Sequence, residues 1–339
     1  MMRRVSLSFL AIAVAFLIAE VLVRLRVPYT VYGHTRQIVQ ETLSVPSATL
    51  GYANRPDASV RFRNKEFDTQ VTINARGLRD RDYPYEPSGR FRIVVLGDSF
   101  AFGWGVNQED CVTEVLEQRY LQDTDVLNLS VSGYGTLQEL RLFQEEGVKY
   151  HPDLVLVFWF SNDLDERIPE VYFHNGRMSE VDWLRTRWSK RLRLWLMRHS
   201  YAFTLLRETR NELNRRWFKR EASIAEAAVT DEADWRLMRE WLIALHDSAQ
   251  ANGATLAIVG IPDKGQLIVN EPLTSLLREL QVAYYDLWEA FASLPDADRR
   301  RVYFRVDDHW TAYGHQVVAR FVAQYLRAKG FVPEERFRS

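Results

Sequence analysis

The chain has 339 residues with 44 Lys and Arg against 45 Asp and Glu, and this net charge of −1 excludes a global electrostatic case for nucleic-acid binding. Its 47% hydrophobic content suits one large domain or two ordinary ones. A single cysteine, Cys111, excludes an internal disulfide framework and a cysteine-built metal cluster.

At the amino terminus, Met1-Met2-Arg3-Arg4 precedes an apolar run from Val5 to Val23, broken by Ser6, Ser8 and Glu20 and followed by Arg24 and Arg26. Such a run can just cross a hydrocarbon core of roughly 30 Å. No small-x-small cleavage site follows it, so residues 1–28 read as an uncleaved signal anchor, a transmembrane helix. A cleaved signal peptide and a buried helix are the competing readings. Arginines flank both ends, and charge alone does not orient the segment. Glu20 can snorkel to the interface without a functional role.

Residues 29–90 form an extension without long helical periodicity. Within `DTQVTINARGLRDRDYP` (68–84), Val71 and Ile73 alternate before Asn74 and Gly77, which predicts a short strand and a turn. From 91 onward, apolar runs at 92–96, 126–131, 154–160, 255–261 and 283–287 alternate with helical patterns near 113–121, 136–150, 235–251, 272–280 and 312–328. In the last pattern Val318, Phe321, Val322 and Tyr325 form a core stripe, with Gly330 as a C-cap. Strands buried on both faces, with helices as crossovers, imply an α/β fold around a mostly parallel sheet of about five strands.

Residues 164–234 interrupt the alternation. Between Arg185 and Arg220 stand twelve Lys or Arg and two acidic residues, Glu208 and Glu212. Trp188, Leu192, Trp195 and Leu196 share one helix face. Three readings stay open here: a helix packed on the domain with solvated arginines, a helix on an anionic membrane surface, and a basic cradle for an anionic polymer.

In an open parallel sheet, ligands collect outside the carboxyl ends of the strands. Those ends carry Asp98 and Ser99, then Ser132, Gly133, Tyr134 and Gly135, then Asn162 and Asp163. Before the C-terminal helix, `VDDHWTAYGH` supplies Asp307, Asp308, His309 and Trp310. Taken singly, Ser99 could cap a helix, Gly133 serve a turn, Asn162 close an Asx turn and His309 be a structural partner of Asp307. Together they are the parts of acyl transfer at serine: a nucleophile, a base with its orienting carboxylate, and oxyanion donors.

The motifs `VVLGDSFAFGWGV`, `NLSVSGYGT`, `FWFSNDL` and `DDHWTAYGH` resemble the four blocks of the SGNH (GDSL-type) hydrolase superfamily, over about 91–328. The resemblance implies a three-layer α/β/α sandwich of flavodoxin-like type. It implies Ser99 as nucleophile, His309 as base, and an oxyanion hole from the Ser99 and Gly133 amides and the Asn162 side chain. Asp98 would brace the turn.

Two positions depart from the pattern. Phe160 replaces the usual glycine two residues before Asn162, and Val306 stands three before His309, so the carboxylate falls to Asp307 in D-x-H, ahead of Asp308. The D-x-H-W spacing with Trp310 is similar to the alginate O-acetyltransferase-like branch. The segment before the first block and the anchor resemble those of membrane-tethered bacterial members, which implies a single-pass protein with its catalytic domain in the periplasm or otherwise outside the cytoplasm. Lys264 and Asp263 could border the substrate site, and His315 reads as a packing residue.

The reading is therefore a signal anchor at 1–28, an extension at 29–90, and an SGNH-like domain at 91–339 with a basic insertion. Its expected activity is that of an esterase or deacetylase acting on an acylated carbohydrate or lipid, with neither metal nor cofactor. The alternative is an O-acetyltransferase for an envelope polysaccharide, which would require an acyl-donor membrane protein as partner. A catalytically silent glycan-binding module is disfavoured by the complete triad.

Overall fold

The structure is a computed structural model that describes residues 2–26, 42–64, 66–164, 172–174, 177–179, 187–207, 209–210, 232–262, 264 and 271–338. Three small antiparallel pairs flank the main sheet: β1 (Ser44–Ser47) with β2 (Gly51–Asn54), β3 (Ser59–Arg63) with β4 (Asp68–Thr72), and β8 (Tyr172–His174) with β9 (Arg177–Ser179). The main sheet contains β5 (Phe91–Gly97), β6 (Thr124–Asn128), β7 (Leu154–Trp159), β10 (Thr255–Gly260) and β11 (Ala283–Asp286). All its pairings are parallel, in the order β11-β10-β7-β5-β6. This is the α/β fold with five parallel strands expected from the apolar runs.

The sheet is buried on both faces because its strands are apolar at successive positions. Ile93, Val95, Leu154, Leu156 and Phe158 point into one core with Val318 and Val322 of the C-terminal helix, Ala312–Lys329. Val94, Leu96, Val155, Val157 and Ile258 point into the other, against Phe143 of helix Thr136–Glu145 and Leu242 and Leu245 of helix Glu232–Ala251. The period-two alternation of a strand thus produces three layers. The chain leaves β5 for β6 on one side and returns to β7 on the other, so the strand order reverses beside β5, the place where open α/β sheets bind their ligands.

The helical pattern near 113–121 resolves into one α-turn, Val112–Val115, followed by a π-turn, Leu116–Tyr120, with Leu121 extended. Two short helices, Leu287–Ala292 and Asp296–Val302, were not anticipated. His315 is buried, and its Nδ1 accepts the Val112 N–H at 3.1 Å, so it packs. Burial, with Arg79 and His309 nearby, lowers its pKa to about 3.

The N-terminal helix runs Met2–Arg26. Among the described residues no helix is long and apolar enough to cross a membrane, so the expected transmembrane helix draws no support here. The side chains of residues 1–13, residues 27 and 28, and most of 164–234 lie outside the described residues.

The extension is built into the domain. Arg79, fully buried, donates from Nη1 to the carbonyls of Phe102 and Gly103 and from Nη2 to that of Val106. Asp80 accepts the N–H of Asn128 at 2.8 Å and that of Arg81 at 2.7 Å. Burial outweighs those bonds and raises its pKa to about 7. Arg79 therefore ties residues 102–106, which end and follow the short helix after β5, to the extension. Arg79→Gln would leave buried carbonyls without their cationic donor. It should lower the unfolding free energy by roughly 3 kcal/mol, read as a shift of the urea midpoint, and an unchanged midpoint would refute the bracing role.

Candidate active site

β5 ends at Gly97, whose φ of 155° lies outside the range of ordinary L-residues. A Cβ there would sit 2.9 Å from that of Ala101 and 3.1 Å from the Phe158 carbonyl oxygen. Glycine lets the chain turn against β7 with no side chain in the way. Asp98 then caps a four-residue helix, Ser99–Phe102, its Oδ1 accepting the Phe100 N–H at 2.9 Å. The sharp turn places Ser99 at the rim of the sheet, 7% exposed.

The opposite wall is the loop 303–311. Phe304 donates to the His309 carbonyl at 3.0 Å and Thr311 to that of Val302 at 2.8 Å, so the loop folds back on itself. Thr311 caps the C-terminal helix through the Gly314 N–H. Glu66 accepts the N–H groups of Val306 and Asp307 at 2.9 and 2.8 Å. Lys264 donates to the carbonyls of Phe304, Arg305 and Asp307, behind the loop.

Held in this way, His309 stands between two partners. Its Nδ1 lies 2.5 Å from Asp307 Oδ1, and its Nε2 lies 2.6 Å from Ser99 Oγ. The carboxylate fixes the proton on Nδ1, which leaves Nε2 as acceptor and Ser99 as the donating hydroxyl. Asp307 Oδ1 also accepts the His309 N–H at 3.0 Å. Phe100 and Trp104 lie against the imidazole, with ring centroids 4.9 and 5.9 Å away, and keep the pair dry. Asp308 points away: it is 74% exposed and 3.6 Å from Lys264. The structure therefore brings Ser99, His309 and Asp307 into one hydrogen-bonded chain and leaves Asp308 outside it.

Gly133, on the turn after β6, has φ 84°, and a Cβ there would stand 2.8 Å from the Tyr52 hydroxyl. That hydroxyl donates to the Ser132 carbonyl at 2.9 Å, so the extension also shapes this turn. Asn162 lies in a 3-10 turn, Ser161–Leu164, directly after β7, and its side chain is outside the described residues, as is Asp263. Phe160 packs on Phe100 at 4.9 Å. Trp310 is fully buried, 4.9 Å from Phe100 and 6.2 Å from Phe158. Among the described residues no group of His, Cys, Asp or Glu could hold a metal ion.

Beneath the rim lies a cluster that sequence reasoning missed. Asp98, Glu139 and Asp163 are all buried. Asp163 Oδ2 accepts the Phe160 N–H at 2.7 Å, while both Glu139 oxygens lack a hydrogen-bond partner. Burial, and then Asp98, pushes Glu139 well above the usual carboxylate range; burial, and then Glu139 and Asp98, does the same to Asp163. Burial and the neighbouring carboxyls therefore favour the protonated form of both Glu139 and Asp163. An acidic residue in the first turn of a helix gave no sign of pointing inward. Glu66 and Arg79 likewise carried no signal, since each acts on backbone far away in sequence.

The sequence pattern of the GDSL-like lipase/acylhydrolase family matches residues 95–317. No curated protein matches the chain. Among solved structures, TesA is similar at 14% identity over 71% of this chain and 99% of its own, with a TM-score of 0.42. The lipase/acylhydrolase from Enterococcus faecalis is similar at 13% identity over 70% and 96%, TM-score 0.41. The psychrotrophic esterase EstA from Pseudoalteromonas sp. is similar at 16% identity over 71% and 97%, TM-score 0.40.

The buried acids predict a pH dependence. Glu139 holds its proton to higher pH in the fold than in the unfolded chain, which releases it near the ordinary value of 4.5. Above that pH the folded state binds more protons, so stability falls as pH rises, by up to about 1.4 kcal/mol per pH unit for each such group. Glu139→Gln removes this loss. Urea unfolding at mildly acidic and mildly alkaline pH should show a larger decline in the wild type than in the variant, and equal declines would contradict the upward shift of Glu139.

Proposed function

Since the chain belongs to the GDSL-like lipase/acylhydrolase family, hydrolases of ester bonds, we propose that it cleaves its ester through an acyl-serine formed at Ser99. The observation that carries this reading is the continuous chain Asp307–His309–Ser99. His309 Nε2 takes the hydroxyl proton as Ser99 Oγ attacks the ester carbonyl carbon, and Asp307 stabilises the resulting imidazolium. The backbone N–H groups of Ser99 and Gly133 and the Asn162 amide hold the oxyanion. The Asn162 contribution rests on its place in the sequence pattern. Collapse expels the alcohol, which takes the proton from His309. A water, deprotonated by the same imidazole, then releases the acid and restores Ser99.

The substrate we propose is an acylated carbohydrate or lipid, and the family's lipase/acylhydrolase character fits the lipid. Transfer of acetyl to a polysaccharide is the other reading of D-x-H-W. In this chain Trp310 is part of the core, packed on Phe100 and Phe158.

Turnover of p-nitrophenyl acetate tests the reading. Ser99→Ala should lose a factor of roughly 10³ or more in kcat with melting nearly unchanged, and activity within about tenfold of wild type would sink the mechanism. Asp307→Asn should lose a factor of about 10³ to 10⁴, while Asp308→Asn, altering only an exposed partner of Lys264, should stay within a few-fold. The reverse order would place the orienting carboxylate elsewhere.

A further inference from the structure

Large hydrophobic side chains exposed to water are concentrated in one part of this molecule. Of twelve such side chains among the described residues, seven lie between Val14 and Leu25 of the N-terminal helix. Four more, Trp188, Leu192, Trp195 and Leu206, lie on the helical segments at 188–207, and Val306 is the twelfth. Singly exposed apolar residues are ordinary, but eleven of twelve gathered on two neighbouring elements are not.

The two elements are fastened to each other. Glu20 accepts the N–H groups of Tyr201 and Ala202, both at 3.0 Å, and the Ser200 hydroxyl at 2.8 Å. It thereby caps the helical segment that starts at Tyr201, supplying a carboxylate where unpaired N–H groups and the helix dipole favour one. Arg24 donates to Glu20 at 2.7 Å and to the His199 carbonyl at 2.9 Å, and it lies 4.6 Å from the centre of the Tyr201 ring. Glu20 is thus a docking residue, where the sequence suggested only a snorkelling one.

Charge and aromatic content indicate what covers this face. Trp188, Leu192 and Trp195 are spaced i, i+4 and i+7 on helix Trp188–His199, with exposed Arg187 and Arg193 beside them. The segment 185–220 holds ten more basic than acidic residues in a chain whose net charge is −1. A protein groove would match the apolar face alone. An anionic bilayer matches both parts, with indole rings at the headgroup boundary and arginines among the phosphates.

We infer that the end of the N-terminal helix and helix Trp188–His199, locked together through Glu20 and Arg24, form one surface that docks on an anionic lipid bilayer. Docking requires only that these faces lie on the membrane, whether or not residues 1–13 enter it.

The test uses the full chain with vesicles of phosphatidylcholine and phosphatidylglycerol whose acyl chains are brominated. Trp188→Phe/Trp195→Phe keeps the face apolar and removes two reporters, so the fluorescence difference from wild type isolates Trp188 and Trp195. That difference signal should be strongly quenched. The quenching should fall several-fold when phosphatidylglycerol is omitted, and again in the Arg187→Glu/Arg193→Glu variant. A difference signal untouched by brominated chains overturns the inference, as does quenching indifferent to phosphatidylglycerol. A signal that responds to dextran sulfate and not to vesicles also overturns it, in favour of a cradle for a soluble polyanion.

Discussion

The hydrogen bond from Ser99 to His309 joins two points 210 residues apart, and the rest of the structure serves to hold it. Neither residue is placed by its own neighbourhood alone. Ser99 depends on the turn at Gly97, which no larger residue could make against Ala101 and the Phe158 carbonyl. His309 depends on a loop pinned over 304–307, by Glu66 at two of its amides and by Lys264 at three of its carbonyls. A bond of 2.6 Å across such a separation needs a rigid sheet between its ends, and a parallel sheet packed on both faces supplies it.

Dryness is the second condition. Phe100 and Trp104 shield the imidazole, and Phe160 and Trp310 pack around Phe100. In so apolar a setting the Asp307–His309 contact is worth more than in water, and charge developing on the imidazole is met by a carboxylate already in position. The same dryness makes Glu139 and Asp163 hold their protons. Carboxyls so close together in a low-dielectric site cannot all ionise. Asp307, on the other wall, is the carboxylate that faces His309.

The strands were legible because β-branched and aromatic runs bounded by turn residues have few other ways to be buried; 92–96 and 154–160 match β5 and β7 to within a residue or two at each end. Leu287–Ala292 and Asp296–Val302 were not, being too short to show a helical period. For the site, Ser99, Gly133 and Asn162 each follow a strand of one parallel sheet, and parallel strands all finish on the same edge. The D-x-H spacing put Asp307 ahead of Asp308, and the exposed Asp308 does point away. What could not be read was long-range support. Arg79, Glu66 and Glu139 act on backbone or carboxyls whose nearness only the fold creates.

The central claim is that Ser99, activated through His309, is the atom that carries the acyl group. An alkyl fluorophosphonate, which phosphonylates an activated serine in preference to ordinary hydroxyls, reports this directly by intact mass and peptide mapping. The account predicts a single stoichiometric adduct on the peptide containing Ser99, absent in Ser99→Ala and formed at least a hundredfold more slowly, as an order of magnitude, in His309→Ala. An adduct on another residue, or labelling of Ser99 at an undiminished rate without His309, would contradict it.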